Sequence, residues 1–278
     1  MKLIKFVIIL IASAIVLTLS GQTSIMTFNI RYNNTYDGEN SWENRKVELT
    51  QMLISYHPDI LGIQEGLFEQ NEYISQQLNN YKYVGVARED GKQKGEYTPI
   101  FYNTKTYELL ETKTYWLSQT PDKVSVGWNA SMERITTYGV FKNKITNDTL
   151  YVFNCHYDHI GKKARKKSSK LIIKLIKEKG ILNKHLIVMG DLNSMPEDAA
   201  IRILKNKLTD SFEVSNYPKE ESKQTYNDFD NQYFSNKRID YIFTRNLDVI
   251  SHKIIYDRRN NGLFISDHFP VLIQTLNN

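Results

Sequence analysis

Acidic, amide and imidazole side chains follow or adjoin apolar segments along the whole chain, and together they could form one reaction centre. These side chains are Asn29 in FNIR, Glu65 in IQEG, Asp191 and Asn193 in GDLN, and Asp267 and His268 in SDH. Each apolar segment is typical of a buried strand, and the ends of strands are where α/β proteins build their sites. We therefore expect these groups to meet in a single centre that holds a hard metal ion and handles phosphate.

Two carboxylates and an amide in this set are suited to magnesium. Proteins bind Mg²⁺ through one or two carboxylates together with other oxygen ligands and substrate phosphate. Glu65, Asp267 and Asn29 meet this requirement and are the predicted metal ligands, with Mn²⁺ as an alternative ion. No Cys/His spacing indicates zinc, since Cys155 and His156 are neighbours that point to opposite faces of a strand.

Two histidines on separate strands could act on a phosphoester. Hydrolysis of a phosphodiester requires an activated water and stabilisation of the charge on the non-bridging oxygens. His268 precedes one apolar strand and His156 ends another, and a carboxylate partner would orient each ring. Asp240 in RIDY and Glu96 in GEY are the candidate partners. We therefore predict catalytic roles for both histidine–carboxylate pairs.

The N-terminus predicts export. Two lysines precede an apolar segment at residues 6–19, and two small residues follow it, which is the order found in secretory signal peptides. The apolar segment is shorter than the roughly 20 residues that cross a bilayer. We predict a signal peptide at residues 1–21 and a secreted or periplasmic protein with no stable membrane insertion after cleavage. An uncleaved N-terminal anchor is the alternative.

Net charge and cysteine content limit the classes of protein that fit this sequence. Removing Lys2 and Lys5 with the signal peptide lowers the formal net charge from +5 by two, so the basic footprint usual for nucleic-acid binding is weak. Cys155 is the single cysteine, so an internal disulfide is excluded and the core must stabilise the fold. No linker or repeat divides residues 22–278, for which we predict one catalytic domain and a monomer.

Helix-like and strand-like patterns alternate along the chain. Helices are predicted at Trp42–Tyr56, Leu67–Leu78, Lys163–Lys179 and Glu197–Lys205. Strands are predicted at Ile25–Ile30, Ile60–Gln64, Tyr81–Ala87, Ile100–Tyr102, Glu108–Tyr115, Thr137–Lys142, Thr149–Asn154, Leu186–Met189, Ile239–Phe243, Val249–Ile255 and Phe269–Gln274. The pattern predicts a mixed α/β sandwich in which two sheets face each other and the helices lie outside.

The motifs from FNIR to SDHFP, in this order, resemble the endonuclease/exonuclease/phosphatase superfamily, which includes pancreatic-type deoxyribonuclease, sphingomyelinases and inositol polyphosphate 5-phosphatases. The resemblance implies a four-layered, deoxyribonuclease I-like sandwich. It implies that Asn29, Glu65 and Asp267 surround Mg²⁺, and that Asp191 and Asn193 activate water and bind phosphate. It also implies that His268 pairs with Asp240, and that His156, with Glu96, is the second active-site histidine.

Further residues of the resembling segments are predicted to bind substrate. Arg134 in ERITTYGVF lies where several members of the superfamily place an arginine that contacts phosphate. The segments FNIRYNNTYDGENSWENRK, YWLSQTPDKVSVGW and HYDHIGKKARKKS resemble a bacterial secreted subgroup, and Asp158, His159 and Arg165 in the last of them extend the polar cluster. Basic residues at positions 162–167 are either a solvated helix start or a rim for an anionic substrate.

The expected function is that of an exported, Mg²⁺-dependent phosphoesterase. We expect a phosphodiesterase that cleaves nucleic acid or another phosphodiester by in-line attack of an activated water. The alternative substrates are lipid headgroups or sugar phosphates, cleaved by a phosphodiesterase or a phosphatase. A non-catalytic binding module on the same fold is a remote alternative, because such a module would have lost at least one of these side chains. Abasic-site repair is disfavoured, since the enzymes of that pathway have tyrosine where this chain has His156.

Overall fold

The protein contains two mixed six-stranded sheets that face each other. The computed structural model describes residues 21–215, 223–230, 232 and 236–277. The first sheet has the order β11-β12-β1-β2-β4-β3, with β1 Gln22–Asn29, β2 Ile60–Gln64, β3 Tyr81–Val84, β4 Ile100–Asn103, β11 Leu247–Ile254 and β12 Val271–Asn277. The second has the order β5-β6-β7-β8-β10-β9, with β5 Tyr107–Trp116, β6 Ile135–Asn143, β7 Thr149–His156, β8 His185–Asp191, β9 Thr209–Asp210 and β10 Asp240–Arg245.

The helices cover the outer faces of the sheets. They are α1 Trp42–Tyr56, α2 Phe68–Gln77, α3 Lys162–Glu178, α4 Ala199–Lys205 and α5 Ser211–Val214, and a short 3₁₀ segment spans Thr35–Asn40. Leu53 of α1 and Ile74 of α2 pack in one apolar cluster with the first sheet. Ile172 of α3 and Ile201 of α4 pack in another cluster with the second sheet. A third cluster fills the space between the sheets, so the predicted four-layered α/β sandwich is confirmed.

The central strands are mostly apolar because both of their faces are buried. In β1, Ile25 faces the other sheet, whereas Met26 packs in the cluster with α1 and α2. In β8, Met189 faces the other sheet, whereas Val188 packs in the cluster with α3 and α4. Successive side chains of a strand point to opposite faces, so a strand between two apolar layers carries apolar residues at most positions.

One parallel pair at the centre of each sheet brings polar strand ends together. β1 and β2 are parallel and pair Asn29 with Gln64, the residue before Glu65. β7 and β8 are parallel and pair His156 with Asp191, which also pairs with Asp240 of the antiparallel β10. Parallel neighbours end at the same edge of a sheet, so these polar groups meet at one edge of the sandwich.

The predicted elements agree with the structure apart from their ends. The strand predicted at Tyr81–Ala87 stops at Val84, and the short β9 and α5 were not predicted. The predicted signal peptide lies outside the described residues except for Gly21, so it stays a prediction. Among the helices of the described ranges, none has the length and apolar character needed to cross a membrane.

A buried neutral histidine makes the stability of this fold depend on pH. His252 of β11 is 8% exposed, and its Nδ1 lies 3.0 Å from the Ser211 hydroxyl of α5. Burial, with a smaller contribution from the Arg238 charge, lowers the pKa of His252 to about 3. The unfolded chain therefore takes up a proton near pH 6.5, before the folded protein does, and stability is lost as the pH falls from about 6.5 toward 3.

We expect the substitution His252→Gln to remove this part of the pH dependence. The wild-type free energy of unfolding should fall more steeply than that of the variant below pH 6.5, by at most about 1.4 kcal/mol per pH unit. Urea unfolding at several values between pH 7.5 and 4.5 measures the difference. Parallel curves for the two proteins would show that His252 is not the group responsible.

Candidate active site

A cavity of about 820 Å³ lies where the central strands of both sheets end. Its lining includes acidic and imidazole groups from separate parts of the chain, namely Glu65, Glu96, His156, His159, Asp191, Asp267 and His268. Arginines from loops and from the start of α3 complete the polar walls, among them Arg31, Arg88, Arg134 and Arg165. The structure therefore brings most of the predicted site residues to one place.

The Asp191 carboxylate lies at the centre of this arrangement. Its Oδ2 accepts a hydrogen bond from Asn29 Nδ2 at 3.1 Å and lies 3.6 Å from His156 Nε2 and 3.8 Å from His268 Nε2. The residue is only 1% exposed. Burial raises the pKa of Asp191 to about 7, and the nearby Asp240 carboxylate adds to this effect. Asp191 is thus a carboxylate with the basicity and the neighbours to exchange a proton.

Asn29 and Glu65 are held together beside Asp191. Asn29 Nδ2 donates to Glu65 Oε1 at 3.0 Å, while its Oδ1 accepts the backbone N–H of Arg31 at 3.1 Å. Glu65 directly follows β2 and adopts a left-handed backbone with φ of 64°, which a glutamate rarely does. Its Oε2 accepts the N–H of Tyr32 at 3.2 Å. This sharp turn directs the carboxylate into the cavity at some cost in backbone strain.

His268 forms a buried ion pair with Asp240. The Nδ1 of His268 lies 2.9 Å from Asp240 Oδ2, and both residues are at most 5% exposed. Burial by itself lowers the pKa of His268, but the charges of Asp240 and Asp191 raise it to about 10. The imidazole is therefore protonated, with Nδ1 bonded to Asp240 and Nε2 directed toward Asp191.

The pKa of His156 is shifted in the opposite direction to that of His268. Burial and the Arg134 guanidinium lower the pKa of His156 well below its usual range, and Arg134 Nη1 lies 3.0 Å from His156 Nε2. The predicted partner Glu96 places Oε2 at 3.6 Å from His156 Nδ1, but that oxygen accepts a hydrogen bond from Arg88 at 2.7 Å. Burial raises the pKa of Glu96 to about 7. The two histidines thus offer one protonated and one neutral ring on either side of Asp191.

The predicted substrate-binding residues divide into two groups. Arg134, His159 and Arg165 line the cavity, and Arg134 Nη2 lies 2.7 Å from His159 Nδ1. Asp158 lies behind them and is 1% exposed. Its Oδ1 accepts hydrogen bonds from the N–H and the hydroxyl of Ser131, and it lies 3.5 Å from Arg134 Nε. In this structure Asp158 organises the loop before α3 and holds Arg134, rather than facing the cavity.

The donor atoms in the cavity fit a hard divalent cation. Burial, with the Glu65 charge adding, raises the pKa of Asp267 to about 6, although His268 and the Arg31 guanidinium, whose Nη1 lies 3.8 Å from Asp267 Oδ2, oppose this rise. Ligand atoms of Glu65, His156 and Asp191 lie within 4.8 Å of one another. Carboxylate oxygens suit Mg²⁺ or Mn²⁺. The predicted ligands Glu65 and Asp267 line the cavity and could hold a metal ion beside Asp191. The third predicted ligand, Asn29, instead donates its NH₂ group to Glu65 and Asp191, and its Oδ1 accepts the N–H of Arg31.

A segment at residues 223–230 supports the site, although no sequence pattern marked it. The Thr225 hydroxyl accepts the backbone N–H groups of Ile239 at 2.9 Å and Asp240 at 3.1 Å. Two residues later, the N–H of Asn227 donates to the Asp267 carbonyl at 2.7 Å. The segment thus joins the strand that carries Asp240 to the loop that carries Asp267. Its polar sequence, QTYND, has no apolar periodicity and is typical of a turn.

Arg45 of α1 is a second supporting residue that was not predicted. Its side chain is completely buried. Nη1 donates to the carbonyls of Ile30 at 2.9 Å and Ile265 at 2.8 Å, and Nε donates to the Asn40 carbonyl at 2.6 Å. Arg45 therefore links the chain just after Asn29 to the chain just before Asp267. The position of Arg45 in the segment SWENRK could have indicated this role. An arginine among the apolar positions of an amphipathic helix is unusual.

We expect Thr225→Val to destabilise the protein, because two buried backbone N–H groups lose their acceptor. The free energy of unfolding should fall by about 1–3 kcal/mol, as measured by urea unfolding. Thr225→Ser keeps the oxygen and is the matched control, with an expected loss below about 1 kcal/mol. A loss confined to Thr225→Ser, with Thr225→Val as stable as the wild type, would show that the methyl group, and not the hydroxyl, matters at this position.

Known proteins resemble this chain in sequence and structure. A crystal structure of an endonuclease/exonuclease/phosphatase family protein from Bacteroides thetaiotaomicron superposes with a TM-score of 0.87 at 34% identity, over 92% of this chain and 98% of that one. A mannosyl-6-phosphatase from Bacteroides thetaiotaomicron VPI-5482 gives a TM-score of 0.86 at 35% identity, over 91% and 99%. An uncharacterised protein of Acanthamoeba polyphaga mimivirus is 28% identical in an alignment of 272 positions that covers 88% of this chain and 95% of that protein.

The family model agrees with these similarities. The model described as "Endonuclease/Exonuclease/phosphatase family" matches residues 26–268, from β1 to the histidine that pairs with Asp240. This range covers most of the chain and includes every predicted site residue. The chain belongs to the endonuclease/exonuclease/phosphatase family, whose members are phosphoester hydrolases.

Proposed function

We propose that this protein is an exported, Mg²⁺-dependent phosphoesterase that hydrolyses its substrate by in-line attack of an activated water. The observation that supports this most strongly is the position of Asp191, whose Oδ2 lies within 3.8 Å of both His156 and His268 in a cavity that also contains Glu65 and Asp267. Such a site offers a proton acceptor, a proton donor and ligands for a cation within one enclosed volume.

Asp191 would accept the proton of the attacking water. Its other oxygen, Oδ1, accepts the backbone N–H of Asn193 at 2.8 Å, which leaves Oδ2 directed at the cavity. Asn193 has a left-handed backbone with φ of 45°, and its Nδ2 donates to the Tyr157 carbonyl at 3.1 Å. These contacts fix the orientation of Asp191. The water oxygen bonds to phosphorus as the ester P–O bond breaks on the opposite side, and the leaving oxygen takes a proton from solvent.

His268 and Arg134 would stabilise the phosphoryl oxygens during this step. The Asp240 carboxylate at 2.9 Å keeps a proton on Nδ1 of His268, so that Nε2–H is free to donate to a phosphoryl oxygen. Arg134 lines the same cavity beside the neutral His156. A bound Mg²⁺, held by Glu65 and Asp267, would supply additional positive charge for the non-bridging oxygens.

A sugar phosphate is the substrate that the comparisons favour. The mannosyl-6-phosphatase is 35% identical to this chain and is covered over 99% of its length, so the two proteins share the whole domain. Glu89 and Asp198 also line the cavity, and carboxylates there could accept hydrogen bonds from sugar hydroxyls. The second candidate is a nucleic-acid phosphodiester, which the basic start of α3 favours because phosphate backbones bind clustered lysines.

The direct test is hydrolysis by the purified protein with Mg²⁺, with Mn²⁺ and with EDTA. The substrates are mannose 6-phosphate, bis-p-nitrophenyl phosphate, single-stranded DNA and RNA. We expect turnover with either metal, its loss in EDTA and its recovery when metal is added back. Asp191→Asn and His268→Ala should each lower the rate by about a thousandfold while the circular dichroism spectrum stays that of a folded protein.

Asp122→Asn is the matched control, because Asp122 is exposed and pairs with Lys113 outside the cavity. Its rate should equal that of the wild type. Near-normal turnover by Asp191→Asn or His268→Ala would contradict the proposed site. If the protein hydrolyses the diester or nucleic acid but not the sugar phosphate, the proposed mechanism still holds. The substrate is then a phosphodiester and not a sugar phosphate.

A further inference from the structure

Arg31 lines the catalytic cavity, but the proposed mechanism gives it no role. Its guanidinium lies beside the predicted cation site, with Nη1 at 3.8 Å from Asp267 Oδ2. The side chain is 26% exposed, whereas that of Asp267 is 7% exposed. Because Arg31 belongs to the lining of the cavity, a ligand in the cavity can reach this exposed part of the side chain.

Asp37 fixes the orientation of the Arg31 guanidinium. Nε donates to Asp37 Oδ2 and Nη2 donates to Asp37 Oδ1, both at 3.0 Å. Asn34 Nδ2 also donates to Asp37 Oδ1, at 2.8 Å. A two-point contact of this kind sets the plane of a guanidinium as well as its position. The remaining nitrogen, Nη1, forms no hydrogen bond with the described residues, so its N–H groups are available to a ligand.

The backbone of Arg31 is held at both of its polar groups. The N–H donates to Asn29 Oδ1 at 3.1 Å, and the carbonyl accepts from Gln70 Nε2 at 3.0 Å and from Arg45 Nη2 at 3.4 Å. These contacts keep Arg31 in a left-handed conformation with φ of 59°, which costs free energy in a residue other than glycine. The side chain therefore starts from a fixed point as well as ending at one.

A phosphate that shares a cation with Asp267 comes within reach of Arg31. The oxygen ligands of Mg²⁺ lie 2.0–2.1 Å from the ion in an octahedron, so neighbouring ligand oxygens are about 3 Å apart. A phosphate oxygen beside Asp267 Oδ2 on such an ion can accept a hydrogen bond from Nη1 of Arg31. Arg134 instead contacts His156, so the two arginines approach the cavity from different parts of the chain.

The number of free phosphate oxygens separates two classes of substrate. A terminal phosphate monoester has three acceptor oxygens and a charge of about −1.5 to −2 near neutral pH. A diester has one ester oxygen more and one negative charge. The proposed contacts from His268, Arg134 and a cation can serve both classes. A further fixed guanidinium favours the group that has a third oxygen and the larger charge.

We propose that Arg31 donates a hydrogen bond to a terminal phosphate and thereby selects phosphate monoesters over diesters, with Asp37 as the positioning residue. The inference rests on the proposed function and names the chemical class of its substrate. The Arg31 contact uses Nη1, because Nε and Nη2 stay bonded to Asp37. The cation on Asp267 and the guanidinium of Arg31 then bind neighbouring oxygens of one phosphate.

The test compares the affinities of mannose 6-phosphate and of its methyl diester by calorimetry. Binding is measured with Mg²⁺ in the Asp191→Asn background, so that no ligand is consumed. We expect the monoester to bind at least about tenfold more tightly than the diester. Arg31→Gln should lower this ratio by about tenfold, which is the effect of one charge-assisted hydrogen bond. Arg31→Lys keeps the charge without the two-point contact and should retain part of the ratio.

Two controls separate this contact from a change in net charge. Arg31→Gln leaves the Asp37 carboxylate without its cation, whereas Arg31→Gln/Asp37→Asn removes both charges and should lose the preference equally. Recovery of the original ratio in the double variant would assign the loss to Asp37 and would overturn the inference. Arg202→Gln removes an exposed arginine of α4 outside the cavity and should leave the ratio unchanged.

Binding of Mn²⁺ without substrate shows whether Arg31 has a merely structural role. The free ion is measured by electron paramagnetic resonance. Arg31→Gln should bind Mn²⁺ at least as tightly as the wild type, because the substitution removes a positive charge 3.8 Å from Asp267. Weaker binding of Mn²⁺ would show that Arg31 supports the fold of the site and would contradict the proposal.

Equal affinities for the monoester and the diester, no binding of the monoester, or an equal loss for both ligands in Arg31→Gln would overturn the inference. Failure of the proposed function is a separate result, namely no turnover of any phosphoester by the wild type. The two failures are distinguishable because the affinity ratio is measured without turnover.

Discussion

Crowding of carboxylates in a buried cavity is the constraint on which the rest of this structure depends. Asp191, Asp267, Glu65 and Glu96 line one cavity, and Asp240 lies behind His268; the three aspartates are each at most 5% exposed. Burial and the charges of neighbouring carboxylates raise the pKa values of Asp191, Glu96 and Asp267. The fold relieves this with the protonated His268 and with arginines, and a divalent cation would neutralise what is left. Burial, with the Asp240 charge adding, gives Asp191 the raised pKa that suits a proton acceptor.

Such a carboxylate cluster requires a rigid scaffold. Hydrogen bonds join the two sheets directly beneath it. Gln64 Nε2 donates to Asn154 Oδ1 at 2.6 Å across the interface, and Asn154 Nδ2 donates to the carbonyls of Ile63 and Pro99. Both amides are fully buried. Gln64 precedes Glu65, and Asn154 lies two residues before His156. These hydrogen bonds fix the register of the two sheets in an otherwise apolar interior, although Gln64 Oε1 has no hydrogen-bond partner among the described residues.

The strands and their polar ends could be predicted from the sequence because each depends on local pattern. Central strands buried on both faces need continuous apolar segments, and a carboxylate or imidazole at the end of such a segment, as in GDLN, stands out. The roles of Thr225 and Arg45 could not be predicted in this way. Their hydrogen bonds join Thr225 to Asp240 and Arg45 to Ile265, across long separations in sequence. Asp158 was predicted to bind substrate, and only the contacts with Ser131 show where its oxygens are directed.

The most direct test of the central claim is the anomalous difference density of crystals grown with Mn²⁺. If the crowded carboxylates form a cation site, a single strong peak should lie in the cavity within coordination distance of Glu65 and Asp267. The Asp240–His268 pair should keep its hydrogen bond in that crystal. A cavity without a peak at millimolar Mn²⁺, or a peak bound only at other surfaces of the protein, would contradict the account.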